Sequence, residues 1–100
     1  EPTVGSNPSW FGFLITCTKA CKLTRDALVQ QLNSKNIGTR LLFAGDLRKQ
    51  PYFKHYTYRV SGSLNETDRI LNNTFWIGVT PMISDEMADY IIDVFNQLLA

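Results

Sequence analysis

Phe75-Trp76-Ile77-Gly78-Val79, followed by Pro81 and then by the run from Ser84 to Leu99, decides the fold. The first five residues are rich in aromatic and β-branched side chains and suit a pleated, buried strand. Pro81 has no N–H to give to a ladder and ends the strand. The period then changes. Met87, Ala88, Ile91, Ile92, Phe95, Leu98 and Leu99 recur at helical spacing, and Asp89, Asp93, Asn96 and Gln97 form the wet face. Ser84 stands where a helix cap belongs, with Asp85 and Glu86 in the positive first turn. A buried strand that hands over to an amphipathic helix calls for a core built from both kinds of element.

The rest of the chain agrees when read outward from that unit. Trp10 to Cys17 (WFGFLITC) reads as another strand. Phe11, Phe13, Ile15 and Cys17 fall on one side of it, and Trp10, Gly12, Leu14 and Thr16 on the other. Both sides are largely apolar, so both are expected to be covered. Thr24 can cap a helix with Asp26 in its first turn and Leu28, Val29 and Leu32 as its stripe. Asn36 or Gly38 ends that helix, since both tolerate a left-handed backbone. Ile37 to Phe43 reads as a strand, so strand, helix and strand make a βαβ-like or split unit. Ala44 to Pro51 is a polar loop with Gly45 for a tight turn. Tyr56 to Val60 is a weaker strand candidate. Asn65 or Thr67 can cap a short helix over 68–72. The expected fold class is α+β, a small sheet with packed helices, over residues 10–100. Residues 1–9, with Pro2, Gly5 and Pro8, have linker chemistry.

Composition sets the outer bounds. One hundred residues make one domain's worth of chain. With 44% hydrophobic residues and a net charge of +1, disorder is not the expected state. Neither nucleic acid nor an anionic membrane surface is an expected partner at that charge. No apolar run approaches the roughly 20 residues of a membrane span. The first residue is Glu1 rather than Met, which raises the expectation of a piece cut from something longer.

No complete active site is legible: GxGxxG, Walker and GxSxG motifs are missing. Cys17 and Cys21 lack further ligands at metal spacing and read as two free thiols. His55, the single histidine, has no nucleophile or orienting acid beside it in sequence. Asn65-Glu66-Thr67 and Asn72-Asn73-Thr74 match a glycosylation pattern short enough to arise by chance. Arg40 lies inside an apolar strand, where burial would demand an anionic partner. The competing reading is an edge strand with Arg40 facing water. Arg48 and Lys49 nearby could meet phosphates. Aromatic residues are numerous enough to suggest a domain that leans on another domain or subunit. On residues alone, a free-standing ligand-binding module and an interaction domain both stay open.

Four strings carry a resemblance: PSWFGF at Pro8–Phe13, IGTRLLFAGDLRKQPYF at Ile37–Phe53, YRVSG at Tyr58–Gly62 and NETDRILNNTFWIGVTP at Asn65–Pro81. In that order they resemble the C-terminal end of CDP-6-deoxy-hexulose 3-dehydrases, bacterial lipopolysaccharide-sugar proteins of the DegT-like, vitamin-B6-dependent aminotransferase superfamily. TRLLFAG favours the dehydrases over the sister reading, a DegT-like sugar aminotransferase. The resemblance implies the small C-terminal domain of a fold-type-I aminotransferase, with the large cofactor-binding domain outside this chain.

The implied parent is a cytoplasmic homodimer that removes the C3 hydroxyl of a CDP-4-keto-6-deoxyhexose. It would use pyridoxamine or pyridoxal phosphate (PMP or PLP), possibly an iron–sulfur (2Fe–2S) cluster, and a partner reductase. No catalytic residue, metal ligand or cofactor is expected within these 100 residues, and the chain alone is expected to be inactive. Cys17, Cys21 and His55 match no ligand or catalytic position of the family. The residues expected to reach the CDP-sugar are Arg40 and Arg69 for anionic groups, and Asp46, Gln50 and Tyr52 in the loop facing the cleft. Asp46 departs from the family's usual asparagine, and an acid there would repel a pyrophosphate.

Overall fold

A three-stranded antiparallel sheet carries the computed structural model, which describes residues 2–100. The elements run β1 (Gly12–Thr16), α1 (Arg25–Ser34), β2 (Thr39–Leu41), two short 3-10 turns (Leu47–Lys49 and Pro51–His55), α2 (Asn65–Asn73), β3 (Thr74–Gly78) and α3 (Asp85–Leu99). The strand order is β1-β3-β2. Both outer strands are antiparallel to β3, so they run parallel to each other with the last strand inserted between them. This is the split form of the strand–helix–strand unit. Ile15, Phe75 and Leu41 stand in one row across the sheet, and Leu14, Trp76 and Arg40 in the next.

Alternation along β3 sends Phe75 to the helical side and Trp76 to the other. Phe75 is 0% exposed and forms the core with Leu28 and Leu32 of α1, Ile37 and Val94 of α3. Ile15, Ile77, Ile91, Phe95 and Leu98 pack around this cluster. Thr74 is buried as well, and its hydroxyl meets that of Thr16 at 3.0 Å. Its carbonyl accepts from Arg25 Nη1 at 3.2 Å.

The helix ends obey their local chemistry. Thr24 Oγ1 accepts from the Ala27 N–H and Ser84 Oγ from the Met87 N–H. After α1 the chain turns at Asn36 with φ 62°, and the Ile37 N–H reaches back to the Leu32 carbonyl at 2.9 Å. α2 departs from expectation. It starts at Asn65 with Leu64 in the cap position and no side-chain cap, so neither Asn65 nor Thr67 caps it. It runs without a loop into β3.

Other expectations are corrected by packing. β1 is not covered on both sides, because α1 and α3 lie on the same side of the sheet. On the opposite side Trp76 meets Phe11 and Phe43 with ring centroids 5.0 and 5.2 Å apart, and Leu14 is 54% exposed. β2 is shorter than Ile37–Phe43, because Phe43 takes φ 40° and leaves the ladder. Tyr56–Val60 forms no strand: no neighbouring edge accepts it, and it runs exposed over the surface. The inner face of α3 centres on Ile91, Val94, Phe95 and Leu98, while Met87, Ile92 and Leu99 are exposed. Residues 2–9 are exposed, with a turn closed by the Ser6 N–H to the Thr3 carbonyl.

One glycine is sterically required. Gly45 has φ +63°, and a Cβ there would lie 2.2 Å from Leu71 Cδ1 of α2. Gly38 has open space around the same position. Gly45→Ala is expected to cost about 1–3 kcal/mol from left-handed strain and the displaced Leu71. Gly38→Ala should change stability by no more than about 1 kcal/mol. Urea unfolding midpoints at unchanged m value measure both. Phe75→Ala, at the centre of the core, is expected to cost about 3–5 kcal/mol in the same assay.

Candidate functional site

The loop that follows β2 is built to hold a shape. Phe43 and Gly45, both with positive φ, turn the chain away from the sheet. Asp46 then caps the first 3-10 turn, its Oδ1 accepting from the Arg48 N–H at 3.0 Å. The Arg48 guanidinium folds back onto both carboxylate oxygens, with Nη2 at 2.5 Å from Oδ2. Gln50 Nε2 donates to the Ala44 carbonyl at 2.8 Å and closes the loop on itself. Lys49 Nζ reaches Asp68 Oδ1 at 2.6 Å and ties the loop to α2. Pro51 opens the second turn, where a missing N–H costs nothing.

Above this base stands an aromatic group. Phe53 is its hub, with ring centroids 6.3 Å from Tyr52, 5.8 Å from Tyr56 and 5.0 Å from Tyr58. The three tyrosines stay largely exposed. Lys54, His55 and Arg59 interleave with them along the chain and are exposed too. Among the described residues, Lys54 and Arg59 make no ion pair. The surface therefore offers flat apolar rings next to uncommitted cations, which suits a ligand with both a ring and an anionic part.

The five residues singled out from sequence do not share one pocket. Arg40 lies on the edge strand β2 and faces water, its Nη1 donating to the Thr39 carbonyl at 2.9 Å. It borders a shallow hollow of about 570 Å³ with Asp26, Gln30 and Asn33. Asp46 is only 4% exposed and its oxygens are engaged by Arg48, so it lies inside the loop rather than facing a cleft. The repulsion expected of an acid there is answered by that guanidinium. Gln50 is likewise occupied with its own loop. Tyr52 is exposed and available. Arg69 sits on α2, exposed and paired with Glu66 at 2.7 Å. The group around Phe53 was not singled out from sequence. Its signal was the string Tyr52–Arg59, in which aromatic and basic residues are interleaved.

A larger cavity lies elsewhere, between β1 and α3. It measures about 870 Å³ and is lined by apolar residues such as Phe13, Ile15, Ile91 and Phe95, with Lys22 its one charged member. Among the described residues no three His, Cys, Asp or Glu side chains gather where a metal could sit. Among the described residues no helix is long and apolar enough to cross a membrane.

Arg48 holds the Asp46 carboxyl below the usual carboxylate range, chiefly through its side-chain hydrogen bonds. A carboxyl lowered in the folded state contributes stability above its unfolded pKa and loses it as pH falls through the folded value. Loop order is therefore expected to persist at mildly acidic pH and to fail only below the ordinary aspartate range. Asp46→Asn should remove this acid-dependent step, read from the amide shifts of residues 45–50 across an NMR pH titration.

Comparison with known proteins agrees with this architecture. Residues 1–96 match the model of the DegT/DnrJ/EryC1/StrS aminotransferase family. The chain is 50% identical over 97 residues to the lipopolysaccharide biosynthesis protein RfbH of Salmonella typhimurium, covering 97% of this chain and 22% of that protein. It is 45% identical over 98 residues to the dTDP-4-dehydro-2,6-dideoxy-D-glucose 3-dehydratase of Saccharopolyspora spinosa, covering 98% and 21%. Among solved structures, a GDP-4-keto-6-deoxymannose-3-dehydratase with a trapped PLP–glutamate geminal diamine superposes with TM-score 0.69 at 28% identity, covering 85% of this chain and 22% of that one. A DegT DnrJ EryC1 StrS aminotransferase from Brucella abortus superposes with TM-score 0.71 at 22% identity, over 89% of this chain and 22% of its own. The chain thus spans about a fifth of the relatives it matches. On the match over residues 1–96, the chain belongs to the DegT/DnrJ/EryC1/StrS aminotransferase family.

Proposed function

We propose that residues 10–100 are the small C-terminal domain of a nucleotide-sugar 3-dehydrase, joined through residues 1–9 to a large cofactor-binding domain. The whole protein removes the C3 hydroxyl of a CDP-4-keto-6-deoxyhexose in lipopolysaccharide sugar biosynthesis. The 50% identity to RfbH supports this reading, and two further relatives are 3-dehydratases of keto-deoxy sugars. The observation in the chain that carries it is the exposed basic and aromatic surface from Tyr52 to Arg59, held by a braced loop.

Roles follow from accessibility. Arg40 and Arg69 are exposed guanidiniums able to meet the diphosphate, and Tyr52 offers its ring to the base or sugar. Asp46 and Gln50 act indirectly, by holding the loop that carries Tyr52.

The residues of this chain do not fit pyridoxal phosphate. The cavity between β1 and α3 is apolar and has a single lysine at its wall, so nothing there cradles a phosphate. Cofactor chemistry is accordingly assigned to the large domain, together with any iron–sulfur cluster. Dimerisation and reductase binding are assigned to the whole protein, and the 100-residue chain alone is inactive.

The deciding assay supplies the full-length protein with a CDP-4-keto-6-deoxyhexose, pyridoxamine phosphate, glutamate and a reductase. Loss of the C3 oxygen in the product mass supports the dehydrase. A product that keeps that oxygen and gains an amine from glutamate establishes the sister aminotransferase reading instead. Arg40→Ala in the full-length protein should raise KM about 10-fold or more, as loss of a charged hydrogen bond does, without lowering the melting temperature. Unfolding of the variant would assign Arg40 a structural role. Spectroscopic titration of the isolated chain with pyridoxal phosphate should show no saturable binding, and tight binding would defeat the domain assignment.

A further inference from the structure

The two cysteines of the chain stand on either side of a tight reverse turn. Cys17 continues β1, and its N–H donates to the Asn73 carbonyl at 2.8 Å, so the sheet holds it. Cys21 closes the turn, its N–H donating to the Thr18 carbonyl at 3.0 Å. A reverse turn brings its end residues, here Thr18 and Cys21, within about 7 Å. Cys17 is the residue next to Thr18, and disulfide-bonded Cα atoms lie roughly 4.4–6.8 Å apart. The turn thus folds Cys21 back toward the strand end that carries Cys17. Both thiols are free and half-buried, and both line the apolar cavity between β1 and α3. They have different surroundings. Burial pushes the Cys17 thiol above the ordinary thiol range, the neighbouring Cys21 thiol adds to the rise, and Arg25 opposes it.

We propose that Cys17 and Cys21 form a dithiol that closes into an intrachain disulfide by exchange with a small disulfide such as oxidised glutathione, locking the 18–21 turn at the wall of the cavity. This inference is independent of the function proposed above. The Cys21 thiolate attacks one sulfur of the glutathione disulfide, forms a mixed disulfide and releases one glutathione thiolate. Cys17 gives up its proton to solvent, and its thiolate attacks the Cys21 sulfur, releasing the second glutathione. The protein pair is oxidised by two electrons, and the glutathione disulfide is reduced by the same two. Cys17 is the resolving thiol because the sheet holds it beside the turn that carries Cys21, while burial disfavours its thiolate in the first, bimolecular attack. A bond there would fasten the turn to the end of the strand and stiffen one wall of the cavity.

Trypsin makes the test direct, because Lys19 lies between the cysteines and Lys22 follows Cys21. The intact protein is equilibrated in mixed reduced and oxidised glutathione, alkylated, digested and weighed. The tripeptide Ala20–Lys22 should stay tied to the peptide ending at Lys19. The tied species should exceed the glutathione adduct about tenfold or more, since a short link gives the second thiol an effective concentration in the millimolar range or above. Cys17→Ser should instead accumulate glutathione on Cys21. On the unaltered protein, phenylarsine oxide should add one phenylarsenic group across both thiols, a readout that needs no variant. Independent alkylation or glutathionylation of the two cysteines in the intact protein, with the tied species in the minority, overturns the proposal. So does phenylarsine oxide that fails to bridge them.

Discussion

The row Ile15–Phe75–Leu41 across the sheet is the constraint on which the rest depends. Phe75 is fully buried at its centre, with Leu28 and Leu32 of α1 and Val94 of α3 above it. β3 arrives last in sequence yet must enter between two strands already separated by a helix. Its neighbours secure that entry: Thr74 meets Thr16, its carbonyl takes Arg25, and Asn73 takes the Cys17 N–H. α2 leads directly into β3, so the position of this helix is set by the middle strand. Through Lys49–Asp68 and Gly45–Leu71, α2 in turn sets the loop after β2. A core residue thus determines where a distant exposed surface stands.

That loop illustrates how charge is divided between structure and availability. Arg48 is spent on Asp46, and Lys49 on Asp68. Arg40, Lys54 and Arg59 make no ion pair among the described residues, and Lys54 and Arg59 interleave in sequence with exposed tyrosines, which suits that surface to a ring with an anionic tail. Surface ion pairs contribute little stability on their own. The bracing comes instead from a buried carboxylate accepting several hydrogen bonds at once and from Gln50 closing on Ala44.

The sheet has one clothed side and one bare side. Phe11, Leu14 and Phe43 stay exposed around Trp76. The excess of aromatic residues was legible, with the expectation of a domain that leans on another. Which residues formed the bare side was not, because β1 is apolar on both sides and its pattern alone has no preferred inner face.

Local chemistry by itself determined several elements and ends: the caps at Thr24 and Ser84, the left-handed Asn36, the helical period of α3 and the aromatic run of β3. It also carried the family resemblance, since long unbroken strings such as TRLLFAG survive without any knowledge of the fold. Tertiary structure alone decided strand order, the short reach of β2, the failure of Tyr56–Val60 to pair and the selection of Val94 over Met87 and Ile92 as the buried side of α3. It also separated the candidate residues into accessible ones, Arg40, Tyr52 and Arg69, and inward braces, Asp46 and Gln50. The physical reason is the same in each case. Propensity and capping act over three or four residues and can be read along the chain. Burial and sheet pairing depend on partners distant in sequence, such as Thr16 and Thr74, 58 residues apart, which only the folded sheet brings together.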